Sequence, residues 1–160
     1  MRRKDRQVTD PERIEEILRS ADNCRLGFVD NGLAYIVPMS YGIATENGKL
    51  CLYFHSAPKG KKIELIEEAG KASFEVDTGY HLKAGAQACT FSCYYQSVIG
   101  HGTITLLRDA QEKQRALRCM MEHYTDRADW EIDDKMLSVV VGIRLEIEEM
   151  TAKEYRQPNG

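Results

Sequence analysis

Two hydrophobic periods alternate along the chain. Apolar residues at every second position predict half-buried strands, whereas apolar residues three or four positions apart predict amphipathic helices. The strand pattern occupies residues 24–30, 33–44, 49–56, 71–78, 89–107 and 138–150, and the helical pattern occupies residues 9–23, 59–70 and 109–128. Residues 79–88 are rich in glycine and alanine, and we expect them to form a loop.

Short turns connect several of the predicted strands. Asp30–Gly32 and Glu46–Gly48 both end in Asn-Gly, which is the strongest short signal for a hairpin. Pro38 has no N–H group to donate to a sheet and therefore marks an edge, a bulge or the end of a strand. Gly100 and Gly102 indicate a bend or bulge in segment 89–107, which forms one long strand or two shorter ones. Six or seven strands joined mostly by hairpins, with three helices, predict a small α+β (mainly β) barrel.

Polar residues mark the boundaries of the predicted helices. Thr9 and Glu12 fit a capping box at the start of the first helix. Asp109 is the expected N-cap of the third helix, and Gly70 is the expected end of the second. These residues limit each helix to a short segment between strands.

Composition and charge are typical of a soluble globular domain. The chain has 160 residues, of which 42% are hydrophobic, and its net charge is -3. The simplest expectation is one domain spanning residues 1–160, and the slightly acidic balance does not favour binding to nucleic acid or to an anionic membrane. No apolar run approaches the ~20 residues of a membrane helix, and none follows the basic N-terminus as in a secretory signal. We therefore expect a cytoplasmic protein.

The cysteines do not form a disulfide pattern, because their number is odd and their spacings are wide. They are Cys24, Cys51, Cys89, Cys93 and Cys119. If Cys89 and Cys93 lie in one strand, both face the same side of the sheet. Two interpretations stay open: reduced thiols that pack as small hydrophobic residues, and a redox or metal-binding pair.

The segment with the clearest chemical signal is residues 52–65, LYFHSAPKGKKIEL, in which a strand leads into a helix. A helix N-terminus carries unpaired N–H groups and a partial positive charge, so lysines there are unfavourable for the helix itself. Lys61 and Lys62 would be explained by a bound anion, with a phosphate as the best candidate, and His55 and Ser56 could add hydrogen bonds. The alternative is a solvated basic turn.

Other common site patterns do not occur in the sequence. No Walker-type phosphate loop is present, no G-x-G-x-x-G follows a strand, and the histidines are scattered rather than paired at a metal-binding spacing. The histidines therefore predict no metal site. Of the four histidines, only His55 lies beside another functional signal.

Several sequence blocks resemble nitroimidazole-resistance (Nim-type) proteins of the pyridoxamine 5'-phosphate oxidase-like superfamily. The blocks are YIVPMSYG, LYFHSAPKGKKIELI, SFEVD, YYQSVIGHGTI and EKQRALRCMMEHY, and they span most of the chain. The resemblance implies a six-stranded antiparallel FMN-binding split barrel with flanking helices. It also implies a homodimer with one flavin in each of two clefts between the subunits.

The resemblance also implies roles for individual residues. Lys61 and Lys62 would bind the flavin phosphate, His55 and Ser56 would lie near the ribityl chain and phosphate, and His55 would border the substrate cleft as the candidate catalytic residue. The flavin ring would be bordered by residues of two further strands, namely Pro38, Met39, Ser40, Tyr41 and Ser97. The C-terminus lacks the arginine and histidine with which the oxidases bind pyridoxal phosphate, so oxidation of vitamin B6 is not expected.

Three functions remain open at this point. The first is an FMN-dependent reductase that passes electrons to a small acceptor such as a nitroimidazole or another nitroaromatic compound. The second is a non-catalytic protein that binds FMN or a haem-like cofactor, and the third is a thiol-based protein that uses Cys89 and Cys93.

The apolar segment SVVVGI fits a strand covered by a second subunit, or a central strand packed under the third helix.

Overall fold

One antiparallel sheet contains all six predicted strand segments. The computed structural model describes residues 3–125, 127 and 129–157. The strands are β1 (Gln7–Val8), β2 (Cys24–Asp30), β3 (Leu33–Met39), β4 (Gly42–Glu46), β5 (Lys49–Ser56), β6 (Lys71–Lys83), β7 (Ser92–Leu107) and β8 (Val141–Tyr155). The helices are α1 (Pro11–Ser20), α2 (Lys61–Ala69), α3 (Ala110–Tyr124) and α4 (Asp134–Ser138), with 3-10 turns at Lys4–Arg6 and Ala88–Thr90.

The sheet is open between two strands that are consecutive in the chain. The spatial order is β3-β2-β6-β7-β8-β5-β4, and β1 pairs with β8. β3 and β4 therefore form the two ends of the order, although only Ser40 and Tyr41 separate them in sequence. This arrangement confirms the mainly β class and the split barrel. The described residues form eight strands, because the predicted segment 33–44 divides at Ser40–Tyr41 and because β1 was not predicted.

Asn-Gly turns form both predicted hairpins. Asn31 and Gly32 have φ values of 50° and 81°, and Asn47 and Gly48 have φ values of 50° and 77°. Two successive positive φ values are typical of the type I′ turn, whose twist matches that of paired strands. The turns fix the register of β2 on β3 and of β4 on β5, with Asp30 opposite Leu33 and Glu46 opposite Lys49.

A bulge lies at the glycine pair predicted to bend the fifth segment. The register of β7 on β8 shifts between His101 and Gly102. A Cβ atom on Gly102 would lie 1.9 Å from the carbonyl oxygen of Glu146, so only glycine fits there. Residues 92–107 thus form one long bent strand rather than two, and the predicted residues 89 and 90 belong to the preceding 3-10 turn.

The core lies between the concave face of the sheet and its helices. α1 buries Ile14, Ile17 and Leu18, and α3 buries Ala116, Cys119 and Met120. Among the described residues, no helix combines the length and apolarity needed to cross a membrane.

Several element boundaries differ from the prediction. The N-cap of α1 is Asp10, whose carboxylate accepts from the N–H of Glu12, so the predicted capping box at Thr9 is wrong. Residues 79–83 extend β6 instead of forming a loop, because they pair with the start of β7. β8 begins at Val141, and the short helix α4 precedes it. Asp109 caps α3 as predicted, and residues 126 and 128 of that predicted helix lie outside the described residues.

Candidate functional site

The turn from β5 to α2 presents backbone N–H groups without a side-chain cap. Gly60 is the N-cap of α2, with φ 128° and ψ 169°, a conformation that is essentially restricted to glycine. Its carbonyl accepts from the N–H groups of Ile63 and Glu64, but no side chain caps the helix start. A helix N-terminus of this kind attracts an anion.

The two lysines of this turn have different environments. Lys61 is exposed, and its Nζ lies 2.8 Å from a carboxylate oxygen of Asp30 at the end of β2. The hydrogen bond to Asp30 raises the pKa of Lys61. Lys61 therefore already has an anionic partner within the chain, which weakens its case as a phosphate ligand.

Lys62 is half-buried and has no such partner. Its Nζ lies 3.0 Å from the sulfur of Met39 at the end of β3, and desolvation lowers its pKa. Among the described residues, no carboxylate forms a salt bridge with Lys62. A thioether is a weak acceptor, so the ammonium lacks the strong hydrogen bonds that a partly buried charge normally makes.

His55 lies next to Lys62 at the end of β5. Although the residue as a whole is exposed, its Nδ1 lies 3.4 Å from the sulfur of Met120 in α3. Desolvation and, secondarily, the charge of Lys62 lower the pKa of His55. The imidazole is therefore held more in its neutral form, in which one ring nitrogen can donate and the other can accept.

The residues between β3 and β4 divide between surface and core. Pro38 and Ser40 are exposed, and Met39 is half-buried against Lys62. Tyr41 is fully buried: its hydroxyl donates to the carbonyl of Leu18, and its N–H donates to the hydroxyl of Tyr124. The Tyr41 side chain is thus anchored in the core at the opening between β3 and β4. Only the backbone of Tyr41 remains available to border a ligand.

Ser97 lies at a distance from the other candidates within one chain. It pairs with Lys153 of β8, whereas His55 pairs with Gly142, eleven residues earlier in the same strand. At about 3.3 Å per residue, this separation approaches ~35 Å along an extended strand. The structure brings together Met39, His55 and Lys62 but not Ser97, and Ser56 follows His55 as the last residue of β5.

The chain's relatives agree with this architecture. The sequence profile described as pyridoxamine 5'-phosphate oxidase matches residues 10–154. The chain belongs to this family. No curated protein matches it. A protein from Bacteroides thetaiotaomicron, named as a candidate 5-nitroimidazole antibiotic resistance protein, is 31% identical, with 92% of this chain and 85% of that chain covered and a TM-score of 0.79. The resemblance to Nim-type proteins is thereby confirmed.

Two more distant structures share the fold alone. The flavocytochrome Anf3 from Azotobacter vinelandii is 20% identical, covers 99% of this chain and 73% of its own, and has a TM-score of 0.81. The FAD and heme binding protein from Mycobacterium smegmatis is 18% identical, with coverages of 97% and 76% and a TM-score of 0.80.

Sequence reasoning missed two residues of the site. Asp30 was assigned to a hairpin turn, and its pairing with Lys61 depends on how the β2–β3 hairpin meets α2. Met120 lies on the buried face of α3, and its contact with His55 depends on how that helix crosses β5. No local pattern signals either contact, because each joins residues far apart in the chain.

Proposed function

We propose that the protein is a flavoprotein that binds FMN, with the phosphate at the β5–α2 turn. Among the described residues, the half-buried Lys62 ammonium makes its hydrogen bond to a methionine sulfur, and it lies beside a helix start without a side-chain cap. This observation carries the proposal. A phosphate dianion would supply the strong acceptor that Lys62 lacks and would also accept from the N–H groups of α2. The residues present therefore fit the phosphate end of the cofactor.

The names of similar proteins support a flavin as the ligand class. The M. smegmatis protein is named for binding FAD and heme, and the A. vinelandii protein is named a flavocytochrome. FMN ends in the phosphate monoester that the turn favours, whereas riboflavin has none. When bound, a flavin supplies the electron transfer, and the protein supplies orientation and electrostatics.

We propose that the site is completed in a homodimer. Ser97 faces the outer surface of the sheet beside the exposed Ile99. It pairs with one end of β8, whereas His55 pairs with the opposite end of β8. If Ser97 borders the same flavin as His55, the two residues must come from different subunits. A planar, largely apolar ring also needs more enclosure than the open surface beside Ser40 offers.

We further propose that electrons pass from a reduced donor to a small acceptor such as a nitroimidazole or nitroaromatic ring. The name of the 31% identical B. thetaiotaomicron protein supports this acceptor class. His55 is the candidate catalytic residue, because its neutral imidazole, favoured by the lowered pKa, can donate a hydrogen bond to an oxygen of the bound acceptor and so orient it toward the flavin.

Spectroscopy tests flavin binding first, and anaerobic kinetics then test electron transfer. Purified protein reconstituted with FMN should show a bound-flavin spectrum and bind FMN more tightly than riboflavin. Excess NADPH or NADH should bleach the spectrum, and a nitroimidazole should restore it with loss of its own nitro absorbance. A flavin that is bound but unaffected by the nitro compound would indicate a carrier, and equal affinity for riboflavin would refute the phosphate assignment.

The dimer has its own test, which is independent of turnover. If the subunit interface forms the site, FMN must favour the dimer, and dilution must release flavin. Sedimentation velocity and flavin fluorescence over a dilution series would measure both quantities. A monomer that retains FMN at every concentration would refute the shared site.

A further inference from the structure

A second concave surface lies at the other end of β8, away from the β5–α2 turn. The cavity has a volume of about 350 Å³, and its walls come from the ends of β6, β7 and β8 together with α1. The lining residues are Arg13, Gly79, His81, Tyr94, Tyr95, Gln96, Tyr155, Arg156 and Gln157. We refer to it as the tyrosine cleft.

Two packed aromatic rings form one wall of the tyrosine cleft. The rings of Tyr94 and Tyr155 lie 5.1 Å apart between centroids, inclined at 40°. The Arg6 guanidinium lies 4.2 Å from the centroid of Tyr155, and Lys83 donates a hydrogen bond to the Tyr155 hydroxyl. Tyr155 is thus held by contacts both to its ring and to its hydroxyl, which leaves a preorganised aromatic wall.

The charge of the cleft is positive. Arg13 and Arg156 share one carboxylate, because Glu154 Oε2 accepts from Arg13 Nη2 at 3.0 Å and from Arg156 Nε at 2.7 Å. Arg13 also pairs with the more exposed Glu16, and no acidic side chain lines the cleft in the described part of the chain. Arg6 and Lys83 add two further cations next to Tyr155, and the Nε of Arg6 is buried with no partner among the described residues. In these contacts Arg156 uses only its Nε, so its two Nη groups remain as donors for a second anion.

We propose that the tyrosine cleft binds a planar aromatic carboxylate. The tyrosine rings would contact the aromatic part of the ligand, and the arginines would bind its carboxylate through charge-assisted hydrogen bonds. A cavity of this size matches the lower end of small-molecule sites. The two arginines favour a carboxylate over a neutral aromatic compound, and the closely placed rings favour a planar ligand over an aliphatic acid.

Equilibrium dialysis with 2-naphthoate tests the proposal, with naphthalene-2-carboxamide as the uncharged ligand of the same shape. The carboxamide should bind at least about tenfold more weakly, which corresponds to about 1.4 kcal/mol. Arg156→Gln should weaken naphthoate binding by a similar factor and leave carboxamide binding unchanged. Tyr94→Leu should weaken the binding of both ligands.

Arg108→Gln provides a matched control. Arg108, like Arg156, is an exposed arginine paired with one glutamate, in its case Glu67 at 2.5 Å, and it lies outside the cleft. This variant should bind naphthoate as the parent protein does, and thermal melting should show that all variants are folded. Equal binding of acid and amide, equal losses in Arg108→Gln and Arg156→Gln, or no binding at all would each overturn the proposal. Displacement of naphthoate by saturating FMN would also overturn it, because the cleft would then belong to the cofactor site.

Discussion

Replacing Lys62 with glutamine should weaken FMN binding more than the same change at its neighbour Lys61. Lys62 is half-buried and contacts a methionine sulfur, whereas Lys61 already pairs with Asp30. Loss of a hydrogen bond between charged groups costs about 1.5–3 kcal/mol. For Lys62→Gln this predicts a rise in the Kd for FMN of about 10- to 150-fold. For Lys61→Gln, the loss of an exposed ion pair predicts a change below about fivefold.

Stability should change in the opposite direction from binding. The Lys62 ammonium is partly desolvated and lies at the positive end of the α2 dipole. Its removal should therefore leave cofactor-free protein as stable as before, or more stable by about 0.3–1 kcal/mol. Urea unfolding without cofactor would measure this difference. A variant that binds FMN poorly but unfolds at equal or higher urea concentration would show that Lys62 serves the ligand rather than the fold.

The assay is quenching of FMN fluorescence, with riboflavin as the ligand without a phosphate. Lys62→Gln should reduce the preference for FMN over riboflavin while leaving riboflavin binding nearly unchanged. A larger effect at Lys61 than at Lys62 would mean that the phosphate displaces Asp30 and binds on the hairpin side. Equal loss of FMN and riboflavin would mean that Lys62 contacts the ring system or supports the local fold, and either result would refute the reasoning.

Three further results are expected. The pKa of His55 lies below the ordinary value of about 6.5, and a bound phosphate would raise it. The ratio of the FMN Kd of His55→Asn to the FMN Kd of the parent should therefore increase as pH falls from 8 to 5.5. A ratio independent of pH would remove His55 from the phosphate site. Gly60→Ala should destabilise the protein by about 1–3 kcal/mol in urea unfolding, because alanine is strained at φ 128°; unchanged stability would contradict this backbone geometry. The exposed Cys89 should react with a thiol reagent before the buried Cys24 and Cys119. The double change Cys89→Ser with Cys93→Ser should leave flavin binding intact. A loss of binding in the folded variant would favour the thiol hypothesis.

Local sequence signals were sufficient for most of the strands and for both hairpin turns. The two Asn-Gly pairs adopt the positive φ values that they favour, and Gly102 occupies a bulge that admits no Cβ atom. The end of α2 at Gly70 was also predictable, because glycine readily adopts the left-handed C-cap conformation. Each of these features depends on residues a few positions apart.

Features that depend on tertiary contacts were not predictable. The extension of β6 beyond Thr78 follows from pairing with β7, which overrides a loop-like composition. The different environments of Lys61 and Lys62 follow from contacts to Asp30 and Met39, residues of a hairpin that lies elsewhere in the sequence. Sequence spacing treats the two lysines as equivalent because it carries no information about which of them faces that hairpin.

The opening between β3 and β4 also affects how the protein avoids association through its sheet. A sheet with two free ends offers two rows of backbone groups to which a strand of another molecule could add. On β3, Pro38 lacks an N–H group and so interrupts the donor row of that edge strand. β4 is only five residues long, so it offers few backbone groups to an added strand, and α3 packs closely on its face, because a Cβ atom on Gly42 would lie 2.4 Å from the backbone of Cys119. The chain thus keeps an open sheet without a long, uninterrupted edge, because a proline interrupts one free strand and the other is short.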